Sequence, residues 1–331
     1  MAKIMIFDVP ATSGGALTIL EMYHKYALED KSNEYVFVIS TPKLAESNNV
    51  KVLNFPNVKK SWLHRHNFDV FKARKIVKRY SPDKIISLQN VVIKGTKVLQ
   101  EVYMHQSLPF VKHKFKLIKQ PKLWIYQNII GNMIFKSMKK ADSVIVQTKW
   151  IKEAIVEKCG VSPDKIKVER PPLADIEFLK FAQDGELKFF YPATATAHKN
   201  HSVIVEALIE LKKQGLEPKV IFTLDGTENS LSASIKEKAL SNGLNIEFIG
   251  GMPYDKVLQM YADSALIFPS FIETFGLPLL EAKLTDSPII ASDEPFSREI
   301  LDGYDKASFF KYNDSEELAQ KITSLLYAKT P

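Results

Sequence analysis

Short runs of apolar residues alternate along the chain with longer segments in which apolar residues recur every three or four positions. In the first half the runs "KIMIFDV", "EYVFVIS", "DKIISLQ" and "DSVIVQT" are typical of buried strands. In the second half the corresponding runs are "LKFFYPA", "KVIFTL", "NIEFIG", "ALIFPS" and "PIIAS". The intervening segments, such as "SVIVEALIELKKQG", have helical spacing. Strands that alternate with helices predict parallel sheets with both faces covered.

A proline-containing segment, "VSPDKIKVERPPL", separates the two series of strands. At 331 residues and 45% hydrophobic content, the chain is long enough for two packed domains. We therefore expect two doubly wound, Rossmann-like α/β domains, residues 1–171 and 172–331. Open parallel sheets bind ligands beyond the carboxyl ends of their strands, so a ligand is expected in a cleft between the two sheets.

Several classes of protein are disfavoured by composition. No stretch approaches the roughly 18 to 20 uncharged apolar residues that a membrane span needs, and the N-terminus lacks the layout of a signal peptide, which predicts a cytoplasmic protein. Cys159 is the one cysteine, so an intrachain disulfide and a cysteine-based zinc cluster are excluded.

Positive charge is concentrated in the first half of the chain. Residues 1–170 hold 30 Lys+Arg and 14 Asp+Glu, a balance of 30 − 14 = +16, and the remainder holds 45 − 30 = 15 and 38 − 14 = 24, a balance of −9. In residues 109–127 lysines are interleaved with aromatic and aliphatic residues, and "KKSWLHRHN" repeats the mixture around Trp62. This composition predicts either an interface with an anionic membrane or a solvated helix face with its aromatic residues in the core. Nucleic acid is not expected as a partner.

Two strand ends carry features suited to an anion. Gly14 and Gly15 precede a predicted helix, where backbone N–H groups can approach a phosphate. The sequence lacks the full G-x-G-x-x-G pattern, which disfavours a nicotinamide-dependent enzyme. Lys199, in "HKNH", follows a predicted strand and precedes a helix, where its ammonium could meet a phosphate.

The stretch "FIETFGLPLLEA" places Glu273 and Glu281 on either side of a predicted helix start at Gly276. Two glutamates eight residues apart on one helix would be separated by about 12 Å of rise and about 80° of rotation. Glycosidases need their two carboxyl groups closer together, at about 5 to 9.5 Å, so an acid pair for hydrolysis is disfavoured. The spacing suits the two ends of a nucleotide-sugar whose phosphates rest on the helix start.

This motif resembles the E-x7-E motif of the retaining glycosyltransferases of family four, whose fold is the two-Rossmann-domain GT-B type. The resemblance extends to the Gly14–Gly15 loop, "VIVQTKW", "YPATATAHKNH", "IEFIGGMPYDKVLQMYADSALIFPS" and "PIIASDEPFSREIL". It implies an N-terminal acceptor-binding domain and a C-terminal domain that binds the nucleotide-sugar donor.

The resemblance also assigns site residues. As catalytic residues it implies Lys199 on the leaving diphosphate, Glu273 on the hydroxyls of the transferred sugar, and His105 beside the donor sugar. Glu281 would bind the ribose hydroxyls. The remaining donor-binding positions that it implies are Gly14, Gly15, Gly251, Met252, Thr274, Phe275, Gly276 and Leu277. The family usually carries an arginine shortly before the lysine, and this sequence has none there; Thr194, Thr196 and His198 are the candidates to replace its phosphate contact.

The resemblance implies retaining transfer of a hexosyl group from a nucleotide diphosphate sugar to a glycan or lipid-linked acceptor in cell-surface polysaccharide synthesis.

 The expected donor is a UDP-linked sugar, which is a co-substrate, so no separate cofactor is implied. The sequence has no evident D-x-D motif, so no metal site is expected, and the protein is expected at the inner face of the plasma membrane if residues 109–127 bind it. Two alternatives stay open: a non-catalytic, glycosyltransferase-like partner subunit, and a GT-B-fold sugar-nucleotide epimerase.

Overall fold

The computed structural model of the protein describes residues 1–118, 120–171, 178–183 and 185–328. The chain divides into two compact units, Met1–Pro172 and Leu173–Pro331. Each unit is an α/β structure built on one parallel sheet, which confirms the predicted fold class. The assignment of one unit to the acceptor and the other to the donor stays a prediction.

The N-terminal unit contains a sheet with the strand order β3-β2-β1-β4-β5-β6-β7, all pairs parallel. Its strands are β1 Lys3–Asp8, β2 Glu34–Ile39, β3 Val50–Asn54, β4 Lys84–Ser87, β5 Leu99–Met104, β6 Ser143–Val146 and β7 Ile166–Val168. Its helices are α1 Gly14–Glu29, α2 Trp62–Asn67, α3 Ala73–Tyr80, α4 Pro121–Ile125, α5 Gly131–Lys140 and α6 Lys149–Cys159. The first strand lies near the middle of the sheet because both β2 and β4 pair with it.

The C-terminal unit contains a sheet with the strand order β10-β9-β8-β11-β12-β13, again parallel throughout. Its strands are β8 Lys188–Tyr191, β9 Val220–Phe222, β10 Ile246–Phe248, β11 Ser264–Phe268, β12 Ile289–Ser292 and β13 Ala307–Phe310. Its helices are α7 His201–Lys213, α8 Ser230–Ser241, α9 Tyr254–Asp263, α10 Leu277–Leu284, α11 Pro295–Ile300 and α12 Ser315–Tyr327.

The central strands of both sheets are buried, which explains their continuous apolar runs. The last four residues of β1 and all of β11 are buried, because helices cover both faces of a parallel sheet. The helix α6 ends as expected at Gly160, which adopts the left-handed conformation with φ of +62°.

Two helical stretches of the N-terminal unit contain a π-helical turn. Phe68–Lys72 joins α2 to α3, and Tyr126–Ile130 joins α4 to α5. A π turn inserts an extra residue into the helix and is frequent at functional sites. Both turns adjoin the basic, aromatic segments that the sequence singles out.

Candidate donor-binding site

The strand order of the C-terminal sheet reverses direction between β8 and β11. Chain connections lead outward from β8 to β9 and β10 on one side, and from β11 to β12 and β13 on the other. In open α/β sheets ligands bind at such a switch point, beyond the carboxyl ends of the strands. Lys199 lies in a helical turn after β8, and Glu273 lies in the loop after β11. The topology therefore brings these two predicted residues to the same place.

Lys199 and Glu273 form an ion pair, with Lys199 Nζ bonded to Glu273 Oε1. Their side chains are only 19% and 17% exposed, so the pair is largely shielded from water. Ser270 Oγ also donates to Glu273 Oε1 at 2.7 Å, so the same carboxylate oxygen accepts from both side chains. A shielded cation held beside a carboxylate can meet a phosphate and a sugar hydroxyl at adjacent points.

Backbone contacts hold the lysine loop against the glutamate loop. Tyr191 Oη donates to the backbone carbonyl of Lys199 at 2.8 Å, and the Phe271 N–H donates to the carbonyl of His198 at 3.1 Å. Asn200 follows the lysine with φ of +56° and donates through Nδ2 to the carbonyl of Tyr312 at 2.6 Å. These bonds fix the direction in which the lysine leaves the backbone.

The helix α10 begins at Leu277, with Gly276 as its N-cap in the left-handed conformation. Glu273 therefore lies in the preceding loop, and the supposition that both glutamates share one helix is wrong. The rise of about 12 Å along a helix does not describe their separation. Gly276 is required here because its φ is +89° and an added Cβ would lie 3.3 Å from Leu279 Cδ1 and 3.4 Å from Phe296 Cδ2.

Glu281 is buried within α10 and only 5% exposed. Tyr254 Oη donates to its Oε1 at 2.8 Å, and Tyr261 Oη donates to its Oε2 at 3.1 Å. Burial raises the pKa of Glu281, and the two tyrosine hydrogen bonds oppose that shift. The two hydroxyls leave lone pairs on both oxygens, so the carboxylate can still accept from a ligand hydroxyl.

The other predicted positions in this unit lie near strand ends. Thr194 follows β8 and is exposed, and Gly251 and Met252 follow β10, with Gly251 exposed and Met252 half-buried. The side chain of Phe275 is buried, so only its backbone could serve a ligand, while Thr274 and Leu277 are half-buried.

The predicted residues of the N-terminal unit lie at the carboxyl ends of β1 and β5. Gly14 and Gly15 are exposed at the start of α1, and nothing lies within 4 Å of a Cβ added to either. The open space above them is compatible with close approach of a ligand. His105 directly follows β5, and its N–H donates to Asn90 Oδ1 at 2.8 Å. Burial lowers the pKa of His105 to about 4, so the imidazole is neutral at pH 7.

Sequence reasoning missed three hydroxyl side chains that hold the two glutamates, namely Ser270, Tyr254 and Tyr261. Ser270 could have been found because it lies three residues before Glu273, within the same loop. The tyrosines lie 27 and 20 residues before Glu281, and only the packing of α9 against α10 brings them to it. Among the described residues there is no cluster of three His, Cys, Asp or Glu side chains able to hold a metal.

Comparison with solved structures identifies the fold class as GT-B. The chain aligns with Anabaena Alr3699/HepE in complex with UDP-glucose at a TM-score of 0.71 and 17% identity, covering 99% of this chain and 90% of that chain. It aligns with the lipopolysaccharide outer core galactosyltransferase WaaB at a TM-score of 0.69 and 18% identity, covering 100% and 92%.

Residues 175–329 match the family described as glycosyl transferases group 1, which confirms the glycosyltransferase resemblance for this part of the chain. One curated relative is the O-antigen chain mannosyltransferase RfbU of Salmonella typhimurium, 22% identical over 205 residues, or 60% of this chain and 57% of that protein. Another is the putative glycosyltransferase EpsD of Bacillus subtilis, 27% identical over 51% of this chain and 44% of that protein. The chain thus spans about half the length of these curated relatives.

Proposed function

We propose that this protein transfers a hexosyl group from a nucleotide diphosphate sugar, with UDP as the nucleotide, to a glycan or lipid-linked acceptor in cell-surface polysaccharide synthesis. The ion pair of Lys199 with Glu273 at the switch point of the C-terminal sheet carries this proposal. The family match of residues 175–329 supports it, as does the relative RfbU, whose name describes an O-antigen mannosyltransferase.

The donor would be held from both ends. Glu281 would accept hydrogen bonds from the ribose hydroxyls, and Glu273 from the hydroxyls of the sugar. The diphosphate would rest between them on Lys199 and on the Leu277 N–H at the positive end of α10, because Pro278 has no N–H and the Leu279 N–H donates to the Gly276 carbonyl. When the donor binds, its phosphate would accept a hydrogen bond from the Lys199 ammonium in place of Glu273. The carboxylate oxygen of Glu273 could then accept from a sugar hydroxyl.

The chemical step is proposed to occur with retention and without a metal ion. The bond between the sugar C1 and the diphosphate oxygen breaks, the acceptor oxygen bonds to C1 on the same face, and the acceptor proton passes to the leaving phosphate. Lys199 and the α10 N-terminus would stabilise the charge that develops on the diphosphate. His105, as a neutral imidazole, would hydrogen-bond the donor sugar without competing for the phosphate charge.

The first experiment measures donor binding and transfer. We expect UDP or a UDP-sugar to raise the melting temperature, because a ligand at 100 times its Kd adds about 2.7 kcal/mol to stability. Labelled sugar should then move from the nucleotide to a lipid or glycan fraction, with the anomeric configuration retained in the product by NMR. EDTA should leave the rate unchanged.

Variants test the site assignment. Lys199→Gln and Glu273→Gln should each lower kcat/KM by at least tenfold, because each removes a charge-assisted contact worth about 1.5 to 3 kcal/mol. Lys188→Gln is the matched control: Lys188 forms an ion pair with Asp263 at 3.0 Å, but it lies at the opposite end of β8. If the control loses as much activity as Lys199→Gln, the site is wrongly placed.

The same assay separates the alternative functions. A sugar-nucleotide epimerase would convert the UDP-sugar without an acceptor, and a non-catalytic subunit would bind the nucleotide and transfer nothing. Either result would contradict glycosyl transfer.

Membrane association is a separate part of the proposal. Tyr126, Ile129 and Met133 are exposed apolar residues on the continuous stretch Pro121–Lys140, and Ile118 just before it is 97% exposed. Ile129 and Met133 are four residues apart, which fits one helix face, and exposed lysines lie on both sides in sequence. Phe110 and Phe115, by contrast, are buried, so they belong to the core. Apolar burial and attraction to anionic headgroups would act together on this face.

Vesicle cosedimentation tests this face. Ile129→Asn should weaken binding to vesicles that contain phosphatidylglycerol, and Leu240→Asn, at an exposed leucine of α8 in the other unit, is the control. Equal binding by both variants, or no binding by the wild type at low salt, would exclude the face. No helix among the described residues is long and apolar enough to cross a membrane.

A further inference from the structure

The N-terminal sheet has its own switch point, between β1 and β4. Connections lead from β1 toward β2 and β3 on one side, and from β4 toward β5, β6 and β7 on the other. Asp8 ends β1, and Gln89 follows β4 by two residues. Ligands bind at such points in open parallel sheets. The proposed donor site does not use these two residues.

Two cations lie beside this switch point. Arg65 of α2 donates from Nη2 to Gln89 Oε1 at 3.1 Å, and its Nε donates to Asp69 Oδ2 at 2.7 Å. Lys59, in the turn before α2, donates from Nζ to the backbone carbonyl of Pro10 at 2.5 Å. Among the described residues these are the hydrogen bonds of the two side chains. They leave the second Nη of Arg65 and two protons of Lys59 available to a ligand.

Two carboxyl groups lie near these cations: Asp69, which pairs with Arg65 at 2.7 Å, and Asp8, whose negative charge is weakened by burial. Asp8 is fully buried; its Oδ1 accepts from the Ala11 N–H at 3.3 Å, and its Oδ2 has no hydrogen-bond partner among the described residues. Burial raises the pKa of Asp8 to about 7, while Arg65 and Lys59 act in the opposite direction. At neutral pH this carboxyl group therefore offsets only part of the charge on the two cations.

The cavity beside Lys59 and Arg65 is the candidate binding site. Another cavity of this unit, of about 440 Å³, is polar and lies at the other end of the strands. The candidate cavity has a volume of about 260 Å³ and is lined by Val9, Pro10 and Val58 together with Lys59, Trp62 and Arg65. Trp62 is 67% exposed. The exposed indole of Trp62 offers a flat apolar surface beside two cations that can bind an anion. This combination suits a sugar that carries a phosphate.

We propose that this cavity binds a phosphate or diphosphate group of the acceptor through Lys59 and Arg65, with Trp62 against the adjoining sugar. The identification of this ligand as the acceptor rests on the proposed function. The chemistry it requires is a phosphate ester, whether it belongs to a lipid or to a soluble sugar phosphate.

The test uses the full-length protein and inorganic pyrophosphate in isothermal titration calorimetry. Lys199→Gln serves as the background because it weakens the candidate donor phosphate site. Adding Lys59→Gln or Arg65→Gln should weaken the remaining pyrophosphate binding at least about tenfold, the loss expected for one charge-assisted contact. Lys60→Gln, an adjacent exposed lysine that does not line the cavity, is the matched control and should change the affinity less than about twofold.

Three results would overturn the proposal. They are the absence of pyrophosphate binding in the Lys199→Gln protein, an unchanged affinity in both cavity variants, and an equal loss in Lys60→Gln, which would indicate a diffuse basic surface. Lys59→Gln keeps the test valid if Arg65→Gln fails to fold, because within the described part of the chain the Lys59 side chain makes one hydrogen bond, to a backbone carbonyl. UDP affinity of the wild type is measured separately: if UDP does not bind and the cavity still binds pyrophosphate, the proposed function fails and the anion site stands.

A second arm identifies the source of the phosphate. Binding to phosphatidylcholine vesicles with added dialkyl phosphate is compared with binding of a hexose 1-phosphate in solution. Dependence of vesicle binding on Lys59 and Arg65 supports a lipid phosphate, and dependence of hexose 1-phosphate binding supports a soluble acceptor. If neither vesicle binding nor hexose 1-phosphate binding depends on Lys59 and Arg65, the cavity is not a phosphate-ester site.

Discussion

Replacement of Asp8 by asparagine should change how the stability of the N-terminal unit depends on pH. Asp8 is fully buried, and burial raises its pKa from 3.8 to about 7. Below pH 3.8 the carboxyl group is protonated in both the folded and the unfolded chain, so it carries no penalty. Between pH 3.8 and about pH 7 the carboxyl group is ionised in the unfolded chain but still protonated in the folded chain. The wild type therefore loses stability as the pH rises through this range.

The magnitude follows from the difference 7 − 3.8 = 3.2 pKa units, which corresponds to about 4 kcal/mol. Between pH 5 and pH 8 the contributing interval runs from pH 5 to the folded-state pKa of about 7, which is about two pKa units. The free energy of unfolding of the wild type should therefore fall by about 3 kcal/mol relative to Asp8→Asn. The asparagine amide would be a buried donor without a partner, at a cost of about 1 to 3 kcal/mol that does not vary with pH. Whatever this constant cost is, the variant should gain about 3 kcal/mol on the wild type between pH 5 and pH 8.

Tryptophan fluorescence is the assay, because Trp62, Trp124 and Trp150 all lie in the N-terminal unit and are the three tryptophans of the chain. Urea unfolding is followed at pH 5, 6, 7 and 8 for both proteins. Asp164→Asn, at an exposed position of the same unit, is the control. A stability difference between wild type and Asp8→Asn that stays constant within about 0.5 kcal/mol over this range, well below the change worked out above, would refute the reasoning.

Three further substitutions test the C-terminal site. Asn200→Ala should cost about 1 kcal/mol more in the free energy of unfolding than Asn200→Gly, because alanine is strained at a φ of +56°; urea unfolding by circular dichroism measures both. Tyr254→Phe frees one oxygen of Glu281 before the nucleotide arrives, so it should bind UDP about 2- to 10-fold more tightly in calorimetry, and weaker binding would mean that the tyrosine helps to hold the ribose. Gly276→Ala should destabilise the unit by about 1 to 3 kcal/mol, since its φ is +89° and its Cβ would be crowded; an unchanged melting temperature would contradict this.

The parallel sheets could be predicted from the sequence because a strand covered on both faces leaves an unbroken apolar run. The positions of Lys199 and Glu273 could be predicted for a related reason: each follows a run such as "LKFFYPA" or "ALIFPS", and parallel strands end at one edge. That the two residues form an ion pair depends on β8 and β11 being neighbours, which is a property of strand order. Strand order depends on contacts between residues far apart in sequence, and no local pattern contains it.

The burial of Asp8 is a second feature that the sequence did not reveal. An aspartate at the end of an apolar run looks like the start of a polar loop, and its neighbour Arg65 lies 57 positions away. Only the tertiary structure shows that the carboxyl group is buried and that Arg65 and Lys59 lie near enough to act on its charge. The basic segment around Trp62 predicts an anionic partner, and the phosphate site proposed at the end of β1 would be the place where that partner binds.

The arginine that the family usually carries before its lysine is absent here, and the structure narrows what can replace it. Burial and the charge of Lys199 lower the pKa of His198, which disfavours the positively charged form of this imidazole. Thr194 and Thr196 are exposed and can offer only neutral hydroxyl donors. In the C-terminal unit the diphosphate would therefore depend on Lys199 and the α10 N-terminus for its charge neutralisation, and Lys199 is already bonded to Glu273. A UDP-sugar should therefore bind more tightly than UDP, because a sugar hydroxyl can satisfy Glu273 when the phosphate draws the lysine away.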